Sequence, residues 1–185
     1  MKVRTVFLLL LSGLLAAEAY SQEPRLPADL VLKNSFAKAA KEQKKVFVIF
    51  TASWCGWCRK MDNVLAAPAV APLIKREYHI VHLTAFEQGP NKKLENPGTL
   101  DVLNRYGGSN HGIPYWIIFD PSGKKLADSQ IRKGGLSSEE EGTNSGCPAT
   151  PEEIEHFRKV LSATSTLNTE EIQAVLQQFV EATKS

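Results

Sequence analysis

Residues 46–60 read Val46-Phe47-Val48-Ile49-Phe50-Thr51-Ala52-Ser53-Trp54-Cys55-Gly56-Trp57-Cys58-Arg59-Lys60, and this stretch decides the fold. Five β-branched or aromatic residues without a charge, Val46 to Phe50, predict a strand buried on both faces. After Cys58 the residue types become helical, with Met61, Val64 and Leu65 on one side. A strand that runs into Cys-x-x-Cys and opens a helix is a device for making a thiolate. The helix N-terminus offers unpaired N–H groups and the positive end of the dipole, and both stabilise negative charge. That setting can lower a thiol pKa from about 8.5 to roughly 3.5–7.5. Two intervening residues keep both sulfurs within disulfide reach over one turn. Cys55 is therefore the candidate nucleophile, and Cys58, one turn inward, is the thiol that resolves a mixed disulfide.

Outward from this stretch the chain alternates between helical and strand patterns. Residues 34–44 carry an apolar stripe (Phe36, Ala39, Ala40) among lysines and predict an amphipathic helix capped by Asn34 or Ser35. Residues 20–32, with Pro24 and Pro27, read as a lead-in, so the folded domain is expected over 33–185. Pro68 and Pro72 interrupt the helix after Cys58, and 78–83 predict the next strand. Residues 86–98 read as a loop and 99–106 as a short helix ended by Gly107-Gly108. Tyr115 to Phe119 predict a strand, Asp120-Pro121-Ser122-Gly123 a tight turn, and 124–129 the hairpin partner. Residues 132–150 are polar and read as a long surface loop. Pro151-Glu152-Glu153 starts a helix to about Ala163. A last helix spans 169–182, with Ile172, Val175, Leu176 and Phe179 on one face. The order α-β-α-β-α-β-β-α-α is an α/β fold with a mixed central sheet flanked by helices and an extra C-terminal helix.

The first nineteen residues read as a targeting segment. Lys2 and Arg4 precede the apolar run Val6–Ala17, and Ala17-Glu18-Ala19 offers small residues at a cleavage site. As a helix that run reaches about 18 Å, short of the roughly 30 Å hydrocarbon layer, which favours a cleaved signal peptide over an anchor. The expected location is outside the cytosol, in a bacterial periplasm, where disulfides form and persist. The 185 residues are 43% hydrophobic and 23% charged, with 22 Lys plus Arg against 20 Asp plus Glu. This balance fits one soluble domain and excludes a disordered acidic chain or a polytopic membrane protein. There is no basic stripe, so nucleic acid is not an expected partner.

Residues Ile49 to Lys60 resemble the active-site segment of the thioredoxin superfamily, and Gly112-Ile113-Pro114 before a strand is similar to its cis-proline turn. The element order over about 34–163 fits as well, and the whole looks like exported bacterial thioredoxin-like proteins with a longer C-terminal region. The resemblance implies a cis Pro114 beside the cysteines. It implies that Ile113 presents its N–H and C=O to an extended substrate segment. Trp54 would cover the site, and Gly56 and Trp57 would tune it. Protein disulfides or dithiols are the implied substrates, with a membrane electron donor or acceptor as a further partner. No metal, flavin or nucleotide cofactor is implied, because the cysteines carry the two electrons. Two positions depart from thioredoxin. Ile49 stands where a buried Asp aids the second cysteine, so that a water or another acid such as Glu87 would have to serve, and Trp57 stands where thioredoxin has Pro. The direction of electron flow is then a matter for measurement, with reduction favoured over oxidation.

Blander readings stand beside these. A Cys-x-x-Cys can be half a zinc site, but His79 and His82 lie three apart in a predicted strand and so face opposite ways. The pair could be inert on a thioredoxin-like scaffold, or the protein could be a binding or chaperone-like module without catalysis. Pro114 could be trans. His111 reads as a solvated loop histidine or a group at the substrate surface. Cys147 reads as a free thiol without a role or as a third redox thiol.

Overall fold

A computed structural model of the chain describes residues 24–136 and 138–184; the targeting segment expected at 1–19 lies outside them. Four strands, β1 (Lys45–Thr51), β2 (Tyr78–Thr84), β3 (Tyr115–Phe119) and β4 (Lys125–Asp128), form a mixed sheet in the order β2-β1-β3-β4. β1 runs parallel to β2 and antiparallel to β3, with Ile49 opposite Trp116 and Phe50 opposite Tyr115. A neighbour on each side and a helical layer on each face explain the uncharged run: Val46 to Phe50 are fully buried.

Alternation along the strands sorts the core into two layers. Phe47, Ile49, Trp116 and Ile118 face α2 (Gly56–Ala66), α3 (Ala71–Glu77), α5 (Pro151–Thr164) and α6 (Thr169–Ala182). Val46, Val48, Phe50, Tyr115, Ile117 and Phe119 face α1 (Ala28–Glu42) and α4 (Thr99–Arg105). His79 and His82 do lie on opposite faces of β2. Burial and the nearby Lys38 ammonium on α1 lower the His79 pKa, whereas His82 Nε2 sits 2.8 Å from Asp62 Oδ1 on α2.

The C-terminal helix belongs to the core. Ile172, Val175, Leu176 and Phe179 are buried, and Phe179 meets Phe157 edge-on at 5.2 Å between ring centres. Both last helices start on capping boxes, Thr150 with Glu153 and Asn168 with Glu171. Arg76 on α3 holds Glu171 through two hydrogen bonds of 2.9 and 2.8 Å.

Several elements differ from the sequence reading, among them α3, a separate helix where only an interrupted one was expected. α1 begins at Ala28, within the expected lead-in, because Pro27 sits at the N-cap, where it interrupts no helical bond. Ala28 is fully buried, and its N–H donates to Pro97 O at 2.8 Å. The loop at 86–98 contains a 3₁₀ turn over Gly89–Leu94. The stretch 132–150 is not simply a surface loop. β5 (Gln130–Ile131) and β6 (Thr143–Asn144) pair as a short ribbon, and Ser145, Cys147 and Pro148 are buried beyond it.

Candidate active site

β1 ends at Thr51, residues 52–55 turn, and α2 starts at Gly56, so Cys55 occupies the N-cap of that helix. Its sulfur is the cap acceptor: Cys58 N–H points at Cys55 Sγ at 3.1 Å. A sulfur there satisfies one of the orphan donors of the first turn and lies at the positive end of the helix dipole. The two cysteines form a disulfide, with Cα atoms 5.3 Å apart. Both are almost wholly buried, at 3% and 1% exposure.

The Ile113–Pro114 peptide bond is cis, as the resemblance implies. Ile113 packs against the cysteine pair, and its carbonyl oxygen lies 3.6 Å from Cys55 Sγ. Pro114 is buried. Trp54 and Trp57 flank the disulfide and are about half exposed, at 54% and 50%. The Trp54 indole N–H donates to Phe86 O at 2.8 Å, and the Lys60 ammonium sits 5.1 Å above the Trp57 ring. Gly56 is exposed as the first residue of α2. Cys55, Cys58, Ile113 and Pro114 thus come together, with the two indoles and Gly56 at the rim.

Glu87 is buried, but its two carboxylate oxygens accept from the N–H and hydroxyl of Ser53. Among the described residues it makes no direct hydrogen bond to either cysteine; its oxygens are taken by Ser53. His111 is not a solvated loop histidine. Its ring stacks on Tyr115, with centroids 5.9 Å apart, and its side chain is 11% exposed. Cys147 is free and buried, and burial pushes its thiol pKa up to about 12. A thiol held protonated is a poor nucleophile, which supports the inert reading of Cys147 over the redox one.

Residues that sequence reasoning missed hold the cis-proline turn from behind. Asn144 Nδ2 donates to Gly112 O at 2.7 Å and to Pro114 O at 3.2 Å, while its Oδ1 accepts from Gly146 N at 3.1 Å. Trp116 Nε1 donates to Gly146 O at 2.8 Å, and Gly146 has a φ of +53°, a conformation that glycine adopts without strain, with its backbone close to Pro114 O. A cavity of about 180 Å³ lies between Trp57, Ile113 and Pro114 on one side and Ser145, Gly146 and Cys147 on the other. Gly142-Thr143-Asn144-Ser145-Gly146 carries only a turn signal, and nothing local pairs it with residue 112.

Residues 31–121 match a family model described as thioredoxin-like. No curated protein matches the sequence. Among solved structures, a disulphide isomerase from Xylella fastidiosa Temecula1 shares 17% identity, over 92% of this chain and 99% of that one, at a TM-score of 0.48. A DsbH oxidoreductase shares 21%, over 76% and 83% of the two chains, at a TM-score of 0.42. A thioredoxin from Thermus thermophilus shares 19%, over 58% and 75%, at 0.41.

Proposed function

This chain belongs to the thioredoxin superfamily through the domain matched at 31–121, and from that premise we propose that it exchanges disulfides with polypeptide substrates, Cys55 attacking and Cys58 resolving. One observation carries the reading. The Cys55–Cys58 disulfide caps α2, and the backbone of Ile113 lies against it, with its carbonyl oxygen 3.6 Å from Cys55 Sγ. In the reduced protein the Cys55 thiolate attacks a substrate disulfide, forms a mixed disulfide and expels one substrate thiolate. Cys58 then loses its proton and attacks Cys55 Sγ, which forms the Cys55–Cys58 bond and releases the second substrate thiolate. The substrate gains two electrons and two protons. Ile113 N–H makes no hydrogen bond among the described residues and is available to pair with an extended substrate, while Trp54, Gly56 and Trp57 border its path.

We favour reduction as the direction. A strong oxidant stabilises its thiolate, and Cys55 Sγ meets one backbone N–H and a carbonyl oxygen that would repel a thiolate. Turnover then requires an electron donor, for which we propose a membrane partner. The segment at 1–19 supports an exported protein in an oxidising compartment such as the periplasm.

The test is trapping. Cys58→Ser should accumulate a mixed disulfide to Cys55 when mixed with a disulfide-linked polypeptide, and Cys55→Ser should not. Absence of any adduct and of any turnover by the parent protein overturns the reading. The exposed Trp54 and Trp57 favour a second reading, a module that holds unfolded chains. In that case the double serine variant keeps suppressing aggregation while the parent protein shows no thiol exchange.

A further inference from the structure

The segment after β2 reaches back to the turn that delivers Cys55. Cys55 N–H closes this turn on Ala52 O at 3.0 Å, which leaves Ser53 and Trp54 at its centre. Each polar atom of Ser53 is engaged. Its N–H and hydroxyl both donate to Glu87, the hydroxyl to Oε2 at 2.7 Å. The hydroxyl oxygen accepts from Asn91 Nδ2 at 3.2 Å, and the carbonyl accepts from Arg59 Nη1 at 2.8 Å. Glu87 is itself fixed: it is 3% exposed, and its N–H donates to Glu95 Oε1 at 2.8 Å, which also accepts from Lys92 Nζ at 2.9 Å. Burying a carboxylate is costly unless its oxygens are matched. Here both oxygens are matched by one residue, two positions before the cysteine.

On the reading that Cys55 is the nucleophile, we propose that Glu87 is a positioning residue: its carboxylate locks the Ser53–Trp54 turn so that Cys55 Sγ stays on the Cys58 N–H. That N–H is the donor that stabilises the Cys55 thiolate. The charged groups at the turn are Arg59, whose Nη1 donates to Ser53 O, and Glu95 with Lys92 beside Glu87. Lys60 lies over the Trp57 ring, Glu153 lines the cavity next to Trp57 and Ile113, and His111 stacks on Tyr115.

Removing Glu87 has two effects of opposite sign. Loss of the anchor frees Cys55 from its donor and raises the pH at which it ionises; loss of a nearby negative charge lowers that pH. Glu87→Gln separates the two, because it drops the charge yet keeps an oxygen for Ser53 N–H and puts an amide donor on Ser53 Oγ. The measurement is the pH dependence of Cys55 alkylation in the reduced full chain, with each cysteine mapped by mass spectrometry. Glu87→Ala should move the midpoint up by about one pH unit, which leaves roughly tenfold less thiolate below it. Glu87→Asp, one methylene shorter with the same charge, should also move it up, and Glu87→Gln should not. The proposal is overturned if Glu87→Ala and Glu87→Gln both move the midpoint down, or if melting temperatures fall while no midpoint moves. Should Glu87→Ala fail to fold, the Asp and Gln variants decide in the same way. If Cys55 is not the more reactive thiol in the unmutated protein, the functional reading fails instead, and that is visible before any variant is made.

Discussion

Asn144→Ala tests whether the ribbon at 130–144 supports the substrate edge. The substitution removes two donations, to Gly112 O at 2.7 Å and Pro114 O at 3.2 Å, and the acceptor for Gly146 N at 3.1 Å. A typical hydrogen bond contributes about 1 kcal/mol net, and Asn144 is half-buried, so water replaces part of the loss and about 1–2 kcal/mol of stability should go. For a chain of this size each kcal/mol is roughly 2–4 °C, which gives a melting point lower by about 2–8 °C. The functional effect is separate. With its flanking carbonyls released, the edge at Ile113 must be ordered again on binding, at about 1–2 kcal/mol per residue. That predicts a fall of roughly tenfold in kcat/KM toward a disulfide-linked polypeptide. Alkylation of reduced Cys55 should change less than twofold, because its sulfur is held by the end of α2. A lowered melting point with kcat/KM unchanged would refute the substrate edge. An equal fall in alkylation would show that Asn144 supports the cysteines instead.

Cys147, with its thiol pushed up to about 12 by burial, should resist iodoacetamide at pH 8 in the native oxidised protein and react once guanidinium unfolds it; labelling of the native form contradicts this. Phe179→Ala should cost about 3–5 kcal/mol, since the ring is fully buried against Phe157, and a denaturation midpoint near that of the parent would show that α6 is dispensable to the core. His156 is lowered by burial, although its Nε2–H donates to Asp128 O at 2.9 Å. The unfolded chain therefore takes up this proton first, and stability should fall as the pH drops below about 6.5. His156→Gln should flatten that part of the decline, and an unchanged slope between pH 7.5 and 5.5 assigns it elsewhere.

The centre of the molecule was legible because its signals are local. Val46 to Phe50 lack charge for the reason the sheet shows, a neighbour on each side, and the helix after Cys55 follows from the change of residue types. Gly112-Ile113-Pro114 was recognisable by resemblance, not by any physical rule that makes one proline cis. The supports of the site were not legible, because each joins residues far apart in the chain: Ser53 to Glu87, and Gly112 to Asn144. Glu87 could be singled out as an acid near the site, but its role depended on which group its oxygens met. The start of α1 was missed because Pro24 and Pro27 look like breakers, while burial of Ala28 against Pro97 is a tertiary fact.

The central claim is that Cys55 and Cys58 form a reversible two-electron couple. Its most direct test is the equilibrium between dithiol and disulfide across a series of thiol/disulfide buffers, read by the fluorescence of the flanking Trp54 and Trp57. The account predicts a single two-electron transition near the thioredoxin value of about −270 mV. A value near about −120 mV would contradict the reducing direction, and no transition at all would contradict the claim itself.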